Sequence, residues 1–213
     1  MSGTTEQQVT IPVGEVSLEG ILMIPEGAKG IVIFAHGSGS SRLSPRNTFV
    51  AKVLQEGGFG TLLFDLLSRE EDQSFANRFD IGRLAERLVA ATRWLAGRPE
   101  GQSMALGYFG ASTGAAAALQ GAAESGASIG AVVSRGGRPD LAMPYLPQVA
   151  APTLLIVGEH DREVLELNRQ ALARLASVKE LAVVPGATHL FEEPGTLEKA
   201  AHLAKEWFLR YLG

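Results

Sequence analysis

Six short apolar runs, separated by segments with helical periodicity, are the feature of this sequence that most restricts its fold. A strand with one face in water alternates apolar and polar residues, and these runs do not alternate. Such strands are expected when helices cover both faces of a parallel sheet. The runs span residues 31–35, 61–64, 104–109, 131–133, 153–157 and 181–184.

Two β-rich runs at residues 9–13 and 16–24 come first and are joined by a Gly-containing turn, which is typical of an antiparallel hairpin. After them, apolar residues recur at steps of three and four, as on one face of a helix. The order ββ, then β-α repeated, predicts an α/β fold in one domain over residues 1–213, with a mostly parallel sheet wrapped by helices. Helices are expected at residues 45–55, 80–97, 112–124, 162–176 and 197–211, with Asp80 and Thr196 as two of the N-caps.

Composition narrows the possible functions. A hydrophobic content of 46% and a charged content of 20% are ordinary for a globular protein. A net charge of −4 disfavours nucleic acid and anionic membranes as partners, so a small-molecule substrate is expected. The absence of cysteine excludes disulfides, Cys-ligated zinc and a thiolate nucleophile, and it fits a reducing, cytoplasmic compartment. Neither a signal peptide, a membrane span nor a cofactor is predicted, and the oligomeric state stays open.

The pattern G-x-S-x-G occurs twice, around Ser112 and around Ser128. A nucleophile elbow needs a strand that enters the motif and a helix that leaves it. Ser112 has this context, because the predicted strand 104–109 precedes it and a helix follows. Ser128 has the reverse context, with a helix end before it and a strand after it. Ser112 is therefore the predicted nucleophile, and a coincidental turn is the alternative.

A glycine-rich loop, residues 36–40, follows the third predicted strand. In the predicted elbow the N–H of Thr113 lies at a helix N-terminus, where it is a candidate oxyanion-hole donor. A second donor is expected from the loop after the third strand, and Ser38 is the choice there. The alternative is a turn that only reverses the chain. His36 precedes the loop and is expected to bond the loop backbone.

The base and the acid of a triad are sought in the order Ser, Asp, His that is expected of a nucleophile-elbow hydrolase. His189 directly follows the last predicted strand and is the predicted base, with a satisfied loop histidine as the alternative. Asp161 follows the strand 153–157 and is the predicted orienting acid. Asp140 is a rival because it follows the preceding strand, and Glu159 is a weaker rival.

A family resemblance rests on four motifs, which are HGSG at residues 36–39, GASTG at 110–114, GEHD at 158–161 and GATH at 186–189. They resemble dienelactone-hydrolase-like members of the α/β-hydrolase superfamily, and the resemblance covers residues 8–212. It implies the α/β-hydrolase fold, with Ser112, Asp161 and His189 in the triad positions. Dienelactone hydrolases use a cysteine nucleophile where this chain has Ser112, which favours a general ester or lactone as substrate.

A compact bacterial subgroup of that family resembles the chain in the stretches HGSGSSRLSPRN, FGASTG, SRGGRPDL and HLFEEPG. Some members of the subgroup are fused to a phosphoribosyltransferase domain. A chain of 213 residues is expected to be too short to hold that second domain.

Arginines in loops at the predicted catalytic edge suggest how a substrate is held. Arg135 and Arg42 are expected to bind a substrate carboxylate, because a guanidinium matches that group. The alternative is an internal ion pair with Asp65 or Asp140. The connection 136–151 is too short for a cap domain, so an open cleft, with no cap over the substrate, and small or exposed substrates are expected.

The sequence thus predicts a serine hydrolase that cleaves a small carboxylic ester or lactone through an acyl-enzyme. His189 would accept the Ser112 proton and later return a proton to the leaving group, while Asp161 orients the imidazole. An acyltransferase or peptidase with the same triad is one alternative. A non-catalytic binding module on the same fold is another, although the intact Ser, Asp, His order counts against it. A haloalkane dehalogenase would need a carboxylate in place of Ser112.

Overall fold

One sheet organises the computed structural model, which describes residues 5–213. Its strands are β1 (Thr5–Val13), β2 (Val16–Ile24), β3 (Ile31–Ala35), β4 (Gly60–Phe64), β5 (Leu106–Ala111), β6 (Ala131–Arg135), β7 (Thr153–Gly158) and β8 (Lys179–Val184). In the described chain these eight strands follow the order β1-β2-β4-β3-β5-β6-β7-β8. The β1–β2 and β2–β4 pairs are antiparallel, and the other neighbours are parallel. The predicted hairpin and the mostly parallel sheet are confirmed.

Helices cover both faces of this sheet, as the uninterrupted apolar runs predict. They are α1 (Pro45–Glu56), α2 (Phe75–Arg78), α3 (Ile81–Ala96), α4 (Thr113–Ser125), α5 (Arg162–Arg174) and α6 (Thr196–Tyr211). Helices α3, α4 and α5 contribute to one hydrophobic core, and α1 and α6 contribute to the other. In β3, Ile31 and Ile33 face the first core, while Val32 and Phe34 face the second. A strand with two covered faces needs apolar residues at every position.

Two long connections of the chain contain short helices. The segment 68–79 holds a 3-10 turn, Glu71–Gln73, and the short helix α2. The segment 136–151 holds the 3-10 turns Pro139–Ala142 and Leu146–Gln148, each with a proline near its start. These turns are too short to build a cap over the sheet edge.

The two predicted N-caps have different outcomes. The Asp80 carboxylate accepts from the N–H of Arg83 at 3.1 Å, as a cap of α3 should. Thr196 is instead the first residue of α6, and Gly195, with φ of +80°, takes the cap position. The Thr196 hydroxyl donates to the carbonyl of Glu193, at 2.7 Å, in the segment that precedes the helix. Nowhere in residues 5–213 is a helix long and apolar enough to cross a membrane.

His36 joins the end of β3 to the end of β4. Its ring is buried, Nδ1–H donates to the carbonyl of Gly37 at 2.9 Å, and Nε2 accepts from the N–H of Leu66 at 3.0 Å. This pattern fixes the neutral tautomer, and burial lowers the pKa of His36. The structural role that the sequence analysis expects of His36 is confirmed.

Lowering the pH is expected to destabilise the fold through His36. The unfolded chain takes up a proton near the ordinary histidine pKa of 6.5, whereas the buried ring resists protonation until a lower pH. The free energy of unfolding should therefore fall as the pH drops below about 6.5 and be insensitive to this group above it. In His36→Gln the side-chain oxygen can still accept from Leu66 without titrating. Urea denaturation at about pH 7.5 and about pH 5 should show a smaller loss in His36→Gln, and equal losses would contradict this role.

Candidate active site

Ser112 lies on a sharp turn between β5 and α4, with φ of 53° and ψ of −123°. A positive φ is uncommon for a residue with a side chain and is held in place by its surroundings. A Cβ on Gly114 would lie 2.2 Å from the carbonyl oxygen of Ala35, and one on Gly110 would lie 2.5 Å from the Cα of Ala115. Both glycines of the motif are thus required by close backbone approach. The turn has the strand–turn–helix geometry that a nucleophile elbow requires.

Ser128 lies in a different environment, although its flanking pattern is the same. It ends the 3-10 turn Gly126–Ser128, is exposed, and leads into β6. The reversed order of helix and strand that the sequence indicates is what the structure has. Ser128 is a loop residue.

The imidazole of His189 is bonded to the carboxylate of Asp161, with 2.6 Å between Nδ1 and Oδ2. Asp161 is the N-cap residue of α5, but its side chain makes no cap hydrogen bond and is left for the histidine. Asp140 forms two 2.8 Å hydrogen bonds with Arg138, and Glu159 accepts from the N–H of Gly186 at 2.8 Å. Of the three acids left open by the sequence, the structure brings Asp161 to the imidazole.

The loop that carries His189 is fixed from two sides. Glu193 accepts from the N–H of Thr188 at 3.1 Å and from its hydroxyl at 2.5 Å, and these bonds lower the pKa of Glu193. A Cβ on Gly158, at the end of β7, would lie 2.4 Å from the carbonyl oxygen of Ala187. The end of β7 therefore packs directly against the histidine loop, which sets the distance between Asp161 and His189.

Ser112 and His189 line the same two cavities. One has a volume of about 260 Å³ and is also lined by Ser40, Arg46, Asn47 and Arg135. The other has a volume of about 250 Å³ and is also lined by Phe79, Thr113, Asp161 and Val164. Within the described chain no hydrogen bond joins the Ser112 hydroxyl to His189. Catalytic hydrogen bonds are often long before substrate binds.

The two predicted oxyanion donors lie next to each other at the elbow. Thr113 is the first residue of α4, so its N–H has no partner within the helix. The N–H of Ser38 donates to the hydroxyl of Thr113 at 2.8 Å. In this conformation the Ser38 donor is therefore occupied by a side chain. The loop after β3 also approaches the nucleophile closely, since a Cβ on Gly37 would lie 3.0 Å from the Cβ of Ser112.

The substrate-binding role expected of Arg42 does not fit its surroundings. Its Nη1 donates to Asp65, its N–H donates to the other Asp65 oxygen at 2.7 Å, and its Nη2 lies 3.2 Å from Glu19. Arg42 does not line either of the cavities that Ser112 lines. The internal ion pair with Asp65, which the sequence analysis kept as the alternative, is correct for Arg42.

Arg135 has the opposite environment. It ends β6, is 7% exposed, and has no ion pair in residues 5–213, because Asp65 is held by Arg42 and Asp140 by Arg138. Its Nε and Nη1 have no hydrogen-bond partner, and its guanidinium lies 5.6 Å from the ring centre of Phe191. Burial lowers the pKa of Arg135 to about 10, and the charge of Arg46 acts in the same direction. The ion-pair alternative is thus wrong for Arg135.

Sequence reasoning gave no role to the first turn of α1, which lines the same cavity as Ser112. Arg46 and Asn47 lie in this turn, inside the helix that the sequence predicts at residues 45–55. The signal that indicates a helix start beside the site is Ser44-Pro45, a capping serine followed by proline at the first helical position. That pair places a helix N-terminus directly after the glycine-rich loop.

The sequence model of the dienelactone hydrolase family matches residues 18–213. The chain belongs to the dienelactone hydrolase family. Its structure is similar to that of a dienelactone hydrolase from Anabaena variabilis ATCC 29413, with 57% sequence identity, a TM-score of 0.96 and 99% of each chain covered. It also shares its fold with the Pyrococcus furiosus esterase Pf2001, at 22% identity and a TM-score of 0.83, with 99% of this chain and 94% of that one covered.

Curated relatives of this family member come from two Mycobacterium tuberculosis strains and carry the name "Putative phosphoribosyl transferase". They are 58% identical to the chain over 207 residues, which is 97% of this chain and 47% of theirs. The chain therefore spans about half the length of the curated relatives it matches. Membership of the dienelactone hydrolase family supports a hydrolase.

Replacing the acid that faces His189 should disable the site. Asp161→Asn keeps the shape but removes the charge that fixes the tautomer, so kcat is expected to fall by about 10³- to 10⁴-fold. Asp140→Asn is the matched control, since Asp140 faces Arg138 instead, and kcat should stay within about threefold. The kcat of both variants is measured with p-nitrophenyl acetate as substrate. A large loss in Asp140→Asn with an active Asp161→Asn would exchange the two roles.

Proposed function

We propose that this protein is a serine hydrolase that cleaves a small carboxylic ester or lactone through an acyl-enzyme on Ser112. One observation supports this most directly: His189, whose Nδ1 lies 2.6 Å from Asp161 Oδ2, lines both cavities that Ser112 lines, and Asp161 lines one of them. A binding module would need none of these three groups. Family membership and esterase neighbours agree with this proposal.

The hydrogen bond to Asp161 occupies Nδ1 of His189 and leaves Nε2 for the serine. His189 Nε2 accepts the Ser112 proton as the hydroxyl oxygen attacks the substrate carbonyl carbon. The carbonyl π electrons move to oxygen, and the resulting tetrahedral intermediate collapses as the ester or lactone C–O bond breaks. The imidazolium gives its proton to the leaving oxygen. Water then attacks the acyl-enzyme by the same route and releases the acid.

The N–H of Thr113 is the first proposed oxyanion donor, because the helix gives it no partner. The N–H of Ser38 is the second, once the Thr113 side chain rotates and releases it. The resting bond between them keeps the Ser38 donor satisfied and aimed at the elbow. A donor of this kind contributes about 3 kcal/mol to stabilisation of the transition state.

Hydrolysis is favoured over acyl transfer by the openness of the site. The His189 side chain is 39% exposed, and the 136–151 segment supplies only two short turns beside it. Water can therefore reach the acyl-enzyme. The same openness suits small or exposed ester substrates.

A fluorophosphonate probe should label the wild-type protein at Ser112. Ser112→Ala is expected to lose labelling and to lower p-nitrophenyl acetate turnover by about a thousandfold or more. Ser128→Ala is the matched control, because Ser128 has the same G-x-S-x-G pattern without the elbow. Peptide mass spectrometry of the labelled protein identifies the site. Undiminished labelling in Ser112→Ala would remove the proposed nucleophile.

Thr113→Val tests which group is the second oxyanion donor. The valine keeps the branched shape but removes the hydroxyl that accepts from Ser38, so unfolding should become easier by about 1–3 kcal/mol. If Ser38 N–H is the donor, kcat should stay within about threefold of wild type. Thr113→Ser, which retains a hydroxyl, is the control. A loss of about 100-fold in kcat confined to Thr113→Val would assign the donor role to the hydroxyl instead.

A further inference from the structure

The cavity of about 260 Å³ beside Ser112 has an unbalanced charge. Its lining includes Arg46 and Arg135 and, within the described residues, no aspartate or glutamate. The nearest acid to Arg46 is Glu192, at 3.4 Å, whose side chain is 65% exposed and faces solvent. Two guanidinium groups thus share a cavity without an internal counter-ion.

Arg135 is the central feature of this imbalance. A buried charge is costly unless it is paired and hydrogen-bonded, and Arg135, at 7% exposed, has neither at Nε and Nη1. Its closest aromatic neighbour, Phe191, offers only the face of a ring. A buried arginine without a counter-ion, in the same cavity as Ser112, is suited to bind an anionic group of a ligand.

Other residues of the same lining are polar, and two of them belong to the start of α1. Ser40, Ser44 and Asn47 line the cavity; Asn47 is 3% exposed, and its amide NH2 and the serine hydroxyls can donate to an anion. The N–H of Asn47 is capped by the Ser44 hydroxyl at 3.3 Å, which leaves the N–H of Arg46 without a partner in the first turn of α1. A helix N-terminus carries a partial positive charge that favours anions.

We propose that this cavity binds a phosphate group of the substrate, so that the enzyme hydrolyses an ester or lactone that is also phosphorylated. This inference rests on the proposed function. Two arginines match the two negative charges of a phosphate monoester, and the serine hydroxyls, the Asn47 amide NH2 and the N–H of Arg46 are further donors for its oxygens. A carboxylate carries one charge and two oxygens, so one guanidinium group would match it. The other donors of the cavity would then have no ligand oxygen to bind. The phosphate is held, not transferred, and the bond that breaks is the carboxylic C–O bond.

Inorganic phosphate is the probe that tests the site without a substrate. In wild type it should compete with p-nitrophenyl acetate, raising KM and leaving kcat unchanged. In Arg135→Met and Arg46→Met the inhibition constant should rise by tenfold or more. Arg169→Met is the control, since Arg169 is exposed on α5 and pairs with Glu166, and its inhibition constant should match wild type. Thermal melting of each variant shows whether it has folded.

Calorimetric titration of Ser112→Ala with inorganic phosphate tests the phosphate site separately from the proposed hydrolase activity. Phosphate should bind this variant as it binds wild type, although hydrolysis is lost, and binding should disappear in Ser112→Ala combined with Arg135→Met. An enzyme that hydrolyses neutral esters but binds no phosphate would overturn the phosphate site and leave the hydrolase intact. Acetate binding as tightly as phosphate at the same ionic strength would replace the phosphate by a carboxylate. Binding that persists unchanged in Arg135→Met and Arg46→Met would also overturn the proposal.

Discussion

The backbone of α4 lies so close to the end of β3 that no side chain fits between them, and the candidate site depends on this contact. A Cβ on Gly114 would lie within 2.4 Å of both the Ala35 and the His36 carbonyl oxygens. The contact seats the helix N-terminus beside the loop that carries Ser38. The same principle recurs at Gly158, where the end of β7 meets the histidine loop. Tight backbone packing at one sheet edge brings together groups from distant parts of the chain.

Strain in the described chain is concentrated where the chemistry is proposed. Ser112 and Phe191 are the two residues other than glycine with positive φ among residues 5–213, at 53° and 55°. Such conformations cost on the order of 1 kcal/mol or more each and persist when the surrounding structure fixes them. The strained Phe191 presents its ring to the guanidinium of Arg135, and the strained Ser112 presents its hydroxyl to the cavity that Arg135 lines.

The sheet, its order of elements and the elbow could be predicted because they depend on local patterns. An uninterrupted apolar run indicates a doubly covered strand, and strand-then-helix context separates Ser112 from Ser128. The hydrogen-bond and ion-pair partners of the site residues could not be predicted in the same way. The sequence favours Asp161 over Asp140 only through strand order. The distance of 2.6 Å between Asp161 Oδ2 and His189 Nδ1 depends on the tertiary structure. Arg42 and Arg135 are both expected at the catalytic edge, but only Arg42 bonds Asp65, because the loop after β3 contacts the residues that follow β4.

The loop between β3 and α1 is anchored at three points: His36 bonds Leu66, Ser38 bonds Thr113, and Arg42 bonds Asp65. Its conformational entropy is therefore lost when the protein folds and not when a ligand arrives. A ligand that enters the cavity meets a loop that is already ordered, so little of its interaction energy is consumed in ordering the receptor. The binding free energy of even a very small anion can then be close to the interaction free energy of its few contacts, because little is lost in ordering the loop.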